Sequence, residues 1–245
     1  MHFSKNNTDQ SPLILIGSRQ LLDFYKDTCE ILGIQILGIL DHYYFGNTES
    51  IDNIPIIGSE LDLIDSPNKY GNAKFMIANT WDGNTRFENI EHDGYNLRLQ
   101  RLDFVKKLNL PCHTLIDPRS IIAKDNNIGQ GVFIGPMCNI RARNTIGEHT
   151  FLHDNVIMAH DIKIGSNSIL GVNAVIMGNI HIGDNVYVGT GSLVVNGKST
   201  KQSHITIGHN CKIHAGALVQ KDMAEGTTAT FTGKYLRRPI QFNRW

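Results

Sequence analysis

From Ile116 to Val194 every sixth residue is aliphatic or methionine: Ile116, Ile122, Ile128, Ile134, Ile140, Ile146, Leu152, Met158, Ile164, Leu170, Ile176, Ile182, Val188 and Val194. A six-residue period matches neither the 3.6 of an α-helix nor the alternation of a simple strand. It is the period of a parallel β-helix whose coils are triangular prisms, each aliphatic residue pointing inward. Three hexapeptides complete one coil, so residues eighteen apart stack on one face at about 4.8 Å, the spacing of neighbouring strands. The residue after the aliphatic one is often glycine (Gly129, Gly135, Gly147, Gly165, Gly171, Gly183, Gly189), which is read as a corner needing backbone freedom. The residue four places on is usually small or β-branched (Val132, Cys138, Thr150, Val156, Ser168, Ala174), which reads as a second inward position. Flat, repetitive outer faces suit symmetric self-association, and a homotrimer is expected.

The stretch before the repeat has a different pattern. Leu13-Ile14-Leu15-Ile16 reads as a short buried strand, Gln20 to Leu32 as a helix and Ile34 to Leu40 as a second strand ending at Asp41, together a βαβ unit. Ser59 can cap a short helix through Ile64, Lys74 to Ala78 makes another strand, and Asn96 to Leu108 has apolar residues at helical spacing. The expected organisation is a small parallel, Rossmann-like α/β domain over 1–112, a β-helix over 113–230 and a C-terminal tail over 231–245. After Val194 the next repeat position is Ile207, thirteen residues on, and the polar stretch Asn196 to Thr206 reads as a loop ejected from a corner. Ile207, Ile213 and Val219 then restore the column.

Composition narrows the function. The chain has 245 residues, 41% hydrophobic content and a formal net charge of zero, so it lacks the basic field that nucleic-acid binding uses. Its longest apolar stretch, Ile31 to Leu40, contains Gln35 and is far shorter than the roughly 20 residues of a membrane helix. Cys29, Cys112, Cys138 and Cys211 are scattered without CxxC spacing and read as reduced thiols of a cytoplasmic protein.

A small α/β domain followed by hexapeptide repeats resembles the sugar acetyltransferases that modify nucleotide-linked amino sugars or sialic acid in surface-glycan pathways. The resemblance rests on Ile36-Leu37-Gly38-Ile39-Leu40-Asp41, Ile54-Pro55-Ile56-Ile57-Gly58, His113-Thr114-Leu115-Ile116-Asp117-Pro118 and above all Met158-Ala159-His160-Asp161-Ile162-Lys163-Ile164-Gly165. It implies a left-handed β-helix, acetyl-CoA as co-substrate, a nucleotide-sugar acceptor and direct acetyl transfer. His160 would be the general base, supported by Asp161, because histidine titrates near neutrality without perturbation. Gly178, eighteen residues after His160, would supply an oxyanion donor from its backbone N–H. Gly189, Thr190, Gly191, Ser192, Gly233 and Lys234 match where the family holds CoA. Gly17, Ser18 and Arg19 follow the first strand, and Asp41 and His42 the second, where the family binds its nucleotide sugar. His153 falls where many members have an acceptor-touching asparagine, and Ile169 where a second histidine is common. N-acetylation is the favoured reaction; sugar or sialic acid O-acetylation is the alternative.

Two rivals use the same fold. The γ-type carbonic anhydrases bind zinc through histidines between β-helical subunits, but His204, His209 and His214 are spaced by five, no pair lies a coil apart, and no metal is expected. A degenerate, non-catalytic transferase acting as a binding or scaffold protein is the second, suggested by the single glycine left in Gly17-Ser18-Arg19-Gln20.

Overall fold

The computed structural model describes residues 9–17, 22–78, 94–196, 204–231 and 235–237. The chain forms two compact units, Asn7–Leu115 and Ile116–Trp245.

The first unit is an α/β sheet. Its elements run β1 (Leu13–Ile16), α1 (Leu22–Leu32), β2 (Ile36–Leu40), β3 (Ser50–Ile51), β4 (Ile54–Gly58), α2 (Asp62–Asp65), β5 (Lys74–Ile77) and α3 (Gly94–Lys107). The strand order is β3-β4-β2-β1-β5. β1 pairs in parallel with β2 and β5, and β2 with β4, whereas β3 runs antiparallel to β4. The sheet is therefore mixed, not wholly parallel as the strand pattern suggested. The departure is a two-residue hairpin at Asp52 and Asn53, whose φ values of 50° and 64° match a turn with both central residues left-handed. Short polar side chains tolerate that conformation.

Leu22, Tyr25 and Cys29 of α1 are buried on one side, at the i, i+3, i+7 spacing that turns an apolar stripe inward. The helix ends where Gly33 takes φ +70° and the Ile34 N–H donates back to the Cys29 carbonyl at 2.9 Å. α3 ends in the same way, with Asn109 at φ 47° and the Leu110 N–H bonded to the Val105 carbonyl at 3.0 Å. Both are the left-handed stop that satisfies the last carbonyls of a helix.

The second unit is a left-handed parallel β-helix. Its strands form a six-stranded face (Ile121–Ile122 through Leu218–Val219), a five-stranded face (Asn127–Ile128 through Ile205–Ile207) and an eight-stranded face (Leu115–Ile116 through Tyr235–Arg237). Register is by eighteen: Ile140 pairs with Met158, Ile146 with Ile164 and Leu152 with Leu170. The inward aliphatic residues and the small residues four places on form one continuous buried core. Hydroxyls that point inward are satisfied between coils. Ser168 Oγ donates to the Gly183 carbonyl at 3.1 Å and accepts the Val186 N–H at 3.0 Å. After Val194 one coil is longer: Ile182 pairs with Ile207 and Val194 with Val219. The strand there begins at Ile205, inside the stretch read as loop.

The corners are not made by the glycines that follow the aliphatic residues. Those glycines have ordinary φ, and what they supply is proximity to the next coil. A Cβ at Gly171 would sit 2.7 Å from the Thr190 backbone nitrogen, and one at Gly183 2.7 Å from that of His209. The reversal is made two residues later, by a left-handed residue that is most often asparagine: Asn155, Asn167, Asn173, Asn179 and Asn185 all have φ of 56° to 59°. Asparagine tolerates this region better than other side chains that carry a Cβ. Stacked corner asparagines then bond to each other, as Asn155 does to Asn173 at 2.6 Å.

Candidate active site

His160 and Gly178 share the edge between the six-stranded and five-stranded faces, each two places after an inward aliphatic residue. Among the described residues of the repeat the N–H at this position takes no part in the coil-to-coil backbone ladder, which uses the residues on either side of it. Each corner thus leaves one backbone donor to a side chain or a ligand, except where proline holds this position, as Pro118 and Pro136 do.

Asp161 is the left-handed corner residue beside His160, with φ 59°. Its Oδ2 lies 2.7 Å from His160 Nδ1, and the carboxylate also takes a bidentate pair of bonds from Arg143, Nε to Oδ1 at 2.8 Å and Nη2 to Oδ2 at 2.7 Å. A carboxylate accepts, so Nδ1 carries the proton and Nε2 keeps its lone pair in the neutral ring. The Arg143 guanidinium, and then His160, hold the Asp161 carboxyl well below the usual carboxylate range. It stays ionised wherever a histidine base is active.

Beneath this corner Asn144 acts as a staple. It is buried, its Nδ2 donates to the Arg141 and Ala159 carbonyls at 2.9 Å each, and its Oδ1 accepts the Ile162 N–H at 2.9 Å. The backbone on both sides of His160-Asp161 is thereby fixed. Above it the Asn179 N–H donates to the His160 carbonyl at 3.1 Å. The open side of Gly178 faces the imidazole: a Cβ there would lie 2.9 Å from His160 Cε1 and 3.1 Å from Nε2. Glycine is needed because the ring occupies the space a side chain would take. Arg143 and Asn144 were not singled out from the sequence, although both sit one coil below the His160 corner, at eighteen residues before Asp161 and Ile162.

The bacterial transferase hexapeptide (six repeats) family matches residues 145–176 and 163–196, the coils that carry His160 and Gly178. No curated protein matches the sequence. Solved structures match over nearly the whole chain. A mutant of perosamine N-acetyltransferase from Caulobacter crescentus, in complex with CoA and GDP-perosamine, superposes with a TM-score of 0.77 at 19% identity, covering 92% of this chain and 97% of that one. The acetyltransferase domain of PglB from Neisseria gonorrhoeae, in complex with acetyl coenzyme A, gives 0.72 at 21% identity over 91% and 97%. WeeI from Acinetobacter baumannii gives 0.73 at 22% identity over 92% and 100%. The chain has their fold.

Not every residue expected at this site is on the His160 edge. Gly189, Thr190, Gly191 and Ser192 lie on the edge between the eight-stranded and six-stranded faces, as does His153. Thr190 is exposed there and Gly191, at φ +66°, makes the corner. Ser192, expected among the CoA-binding residues, points inward instead: it is fully buried and its Oγ donates to the His214 carbonyl at 2.9 Å, so its side chain belongs to the core. His153 packs edge-on against Phe151 with ring centroids 4.7 Å apart, and burial pushes its imidazole down to about 4. Its ring is neutral near pH 7.

The α/β unit also corrects one expectation. Asp41 is 2% exposed, and its Oδ2 accepts from Arg101 Nη2 at 3.1 Å while its Oδ1 caps the Tyr43 N–H at 3.0 Å. Arg101 Nε also donates to Glu60 Oε1 at 3.2 Å, and the Glu60 carboxylate holds His42 through its N–H at 2.7 Å and Nδ1 at 2.8 Å. The Asp41 side chain therefore anchors a buried ion-pair network, whereas His42 is part-exposed and its ring lies tilted against Tyr43. Gly17 ends β1, its N–H bonded to the Leu40 carbonyl at 2.9 Å. Ser18, Arg19, Gly233 and Lys234 lie outside the described residues. Among the described residues no group of three histidine, cysteine or acidic side chains is gathered as a metal would require, and no helix is long and apolar enough to cross a membrane.

Proposed function

We propose that this protein is an acetyl-CoA-dependent N-acetyltransferase acting on a nucleotide-linked amino sugar. The observation that carries the reading is the His160–Asp161 pair, with Nδ1 committed to the carboxylate and Nε2 lying beside Gly178. In the proposed reaction Nε2 takes a proton from the sugar amine as the amine attacks the thioester carbonyl. The carbonyl oxygen gains charge near the Gly178 N–H, and the thiolate of CoA leaves. The perosamine and PglB structures, which hold CoA with GDP-perosamine and acetyl-CoA respectively, support this choice of substrates. They also favour an amine over the hydroxyl that a sialic acid O-acetyltransferase would use.

The nucleotide is assigned to the carboxyl ends of β1 and β5. The chain leaves β1 for β2 on one side and returns to β5 on the other, a switch point of the kind where open α/β sheets bind ligands. A homotrimer is proposed from the six-stranded face, whose outer side stacks Ile121, Asn139, Ile157, Val175, Leu193 and Leu218. Ile121 on this ladder is 70% exposed. This face lies between the His160 edge and the His153–Thr190 edge, so threefold packing would bring the two edges of neighbouring copies into one groove. Four buried cysteines, none in a disulfide, suit a reducing compartment, and the cytoplasm is the proposed location.

The test is turnover of acetyl-CoA with a panel of nucleotide-linked amino sugars and their hydroxyl counterparts, with the assembly mass measured by light scattering on the same preparation. Amine-dependent release of CoA from a three-chain species is expected. Turnover with hydroxyl acceptors alone would replace N- by O-acetylation, and binding without turnover on either set would leave a scaffold protein.

A further inference from the structure

The Gly178 N–H is not idle in this structure: it donates to Asn196 Oδ1 at 2.8 Å. Asn196 lies eighteen residues after Gly178 and thirty-six after His160, on the same edge and at the same position of its coil. Its side chain is exposed, so it can rotate away without opening the core. We infer that Asn196 is a resident stand-in for the acetyl group: its amide oxygen occupies the position at the Gly178 N–H that the thioester oxygen of acetyl-CoA takes. Asn196 would then help to set how the protein tells acetyl-CoA from CoA. The inference rests on the transferase reading above.

Two observations separate this contact from an ordinary corner cap. Side chains do cap the same N–H on another edge, where the Ser166 N–H donates to Asp184 Oδ1 at 2.7 Å and the Asp184 N–H to His209 Nδ1 at 2.9 Å. Those caps are a carboxylate and an imidazole. The cap at Gly178 is a neutral sp² carbonyl oxygen, the same acceptor type as a thioester. The second observation is location. The open face of Gly178 is in contact range of the His160 ring, so an oxygen on its N–H is beside the nitrogen that would deprotonate the acceptor. Arriving acetyl-CoA must exchange one carbonyl for another at this donor, whereas CoA has no carbonyl there to exchange. A neutral hydrogen bond of this kind holds a group by a factor of roughly 2 to 10.

The experiment is calorimetric titration of the intact chain with acetyl-CoA and with CoA, on the parent protein, Asn196→Ala and Asn196→Asp. Removing the side chain should tighten acetyl-CoA by roughly 2- to 10-fold and leave CoA unchanged. The aspartate, a stronger acceptor, should weaken acetyl-CoA and again spare CoA. If the parent binds both ligands and Asn196→Ala shifts them equally, or shifts neither, the side chain is only a corner cap and the inference is overturned. A parent protein that binds neither ligand would bring down the transferase reading itself, and the inference with it.

Discussion

Two edges of the β-helix each bring a histidine against an aspartate, and they use it in opposite ways. On the His160 edge the neighbours are adjacent in sequence, and Nδ1 meets the Asp161 carboxylate at 2.7 Å. On the other edge His209 Nδ1 accepts the Asp184 backbone N–H at 2.9 Å, with the Asp184 carboxylate further off at 3.3 Å. An accepting Nδ1 puts the ring proton on Nε2, so the neutral His209 ring turns a donor outward and its lone pair into the fold. His160 does the reverse and keeps its basic nitrogen available. Proximity of histidine and acid is therefore not what makes a site; whether Nδ1 donates to the carboxylate or accepts a backbone N–H is.

The largest effect expected of this comparison is in turnover. His160→Ala should slow acetyl transfer by roughly 10²- to 10⁴-fold with the assembly still folded, the usual contribution of a general base. His209→Ala should stay within about twofold, because its ring only caps a corner. Equal losses in steady-state assays of the two variants would erase the distinction.

The glycines beside the two histidines sharpen it. At Gly178 an added Cβ meets the imidazole, which can swing, so Gly178→Ala should keep its melting temperature and lose kcat by on the order of 10²-fold through a displaced base. At Gly183 the Cβ meets the His209 backbone nitrogen at 2.7 Å, and backbone cannot step aside. Gly183→Ala should therefore cost stability, about 1–3 kcal/mol in denaturant titration, and leave kcat nearly unchanged in whatever protein remains folded.

The smallest effect expected is a shift in pH dependence. Arg143 is the largest cause of the low Asp161 pKa, so Arg143→Gln should let that carboxyl titrate closer to its ordinary range. A depressed carboxyl supplies its charge above its folded pKa and loses it as pH falls. Raising that pKa moves the loss upward, and in acid unfolding followed by circular dichroism the variant should begin to lose structure at higher pH than the parent. Coincident acid transitions would mean that Arg143 supports the corner only mechanically.

The parts of this architecture that were legible share one property: they depend on a side chain's apolarity recurring at a fixed interval. The six-residue period placed the inward residues, the three faces and the eighteen-residue stacking of His160 under Gly178. What could not be read depends on backbone conformation and on partners. Glycines after the aliphatic positions were taken for corners because glycine is so often used that way, whereas they mark contact between coils and asparagine makes the reversal. The hairpin at Asp52-Asn53 was missed because two short polar residues in a strand-poor stretch look like any loop. Asp41 was assigned to a ligand because its partner Arg101 arrives from α3, sixty residues later, and no local pattern announces that pairing. Arg143 and Asn144 were missed for a related reason: their value lies in being one coil below a histidine.

The donor that each corner leaves out of the ladder has a consequence for how such sites arise. Along one edge these N–H groups recur at the rise of a coil, like rungs that the backbone ladder leaves free for side chains. A histidine that appears on any rung finds a donor one rung above, and a small residue there clears room for the ring. Gain or loss of a whole eighteen-residue coil would move such a pair along the edge and keep its geometry intact. A histidine–glycine pair of this kind is portable in units of one turn, because every coil repeats the geometry of the one before it.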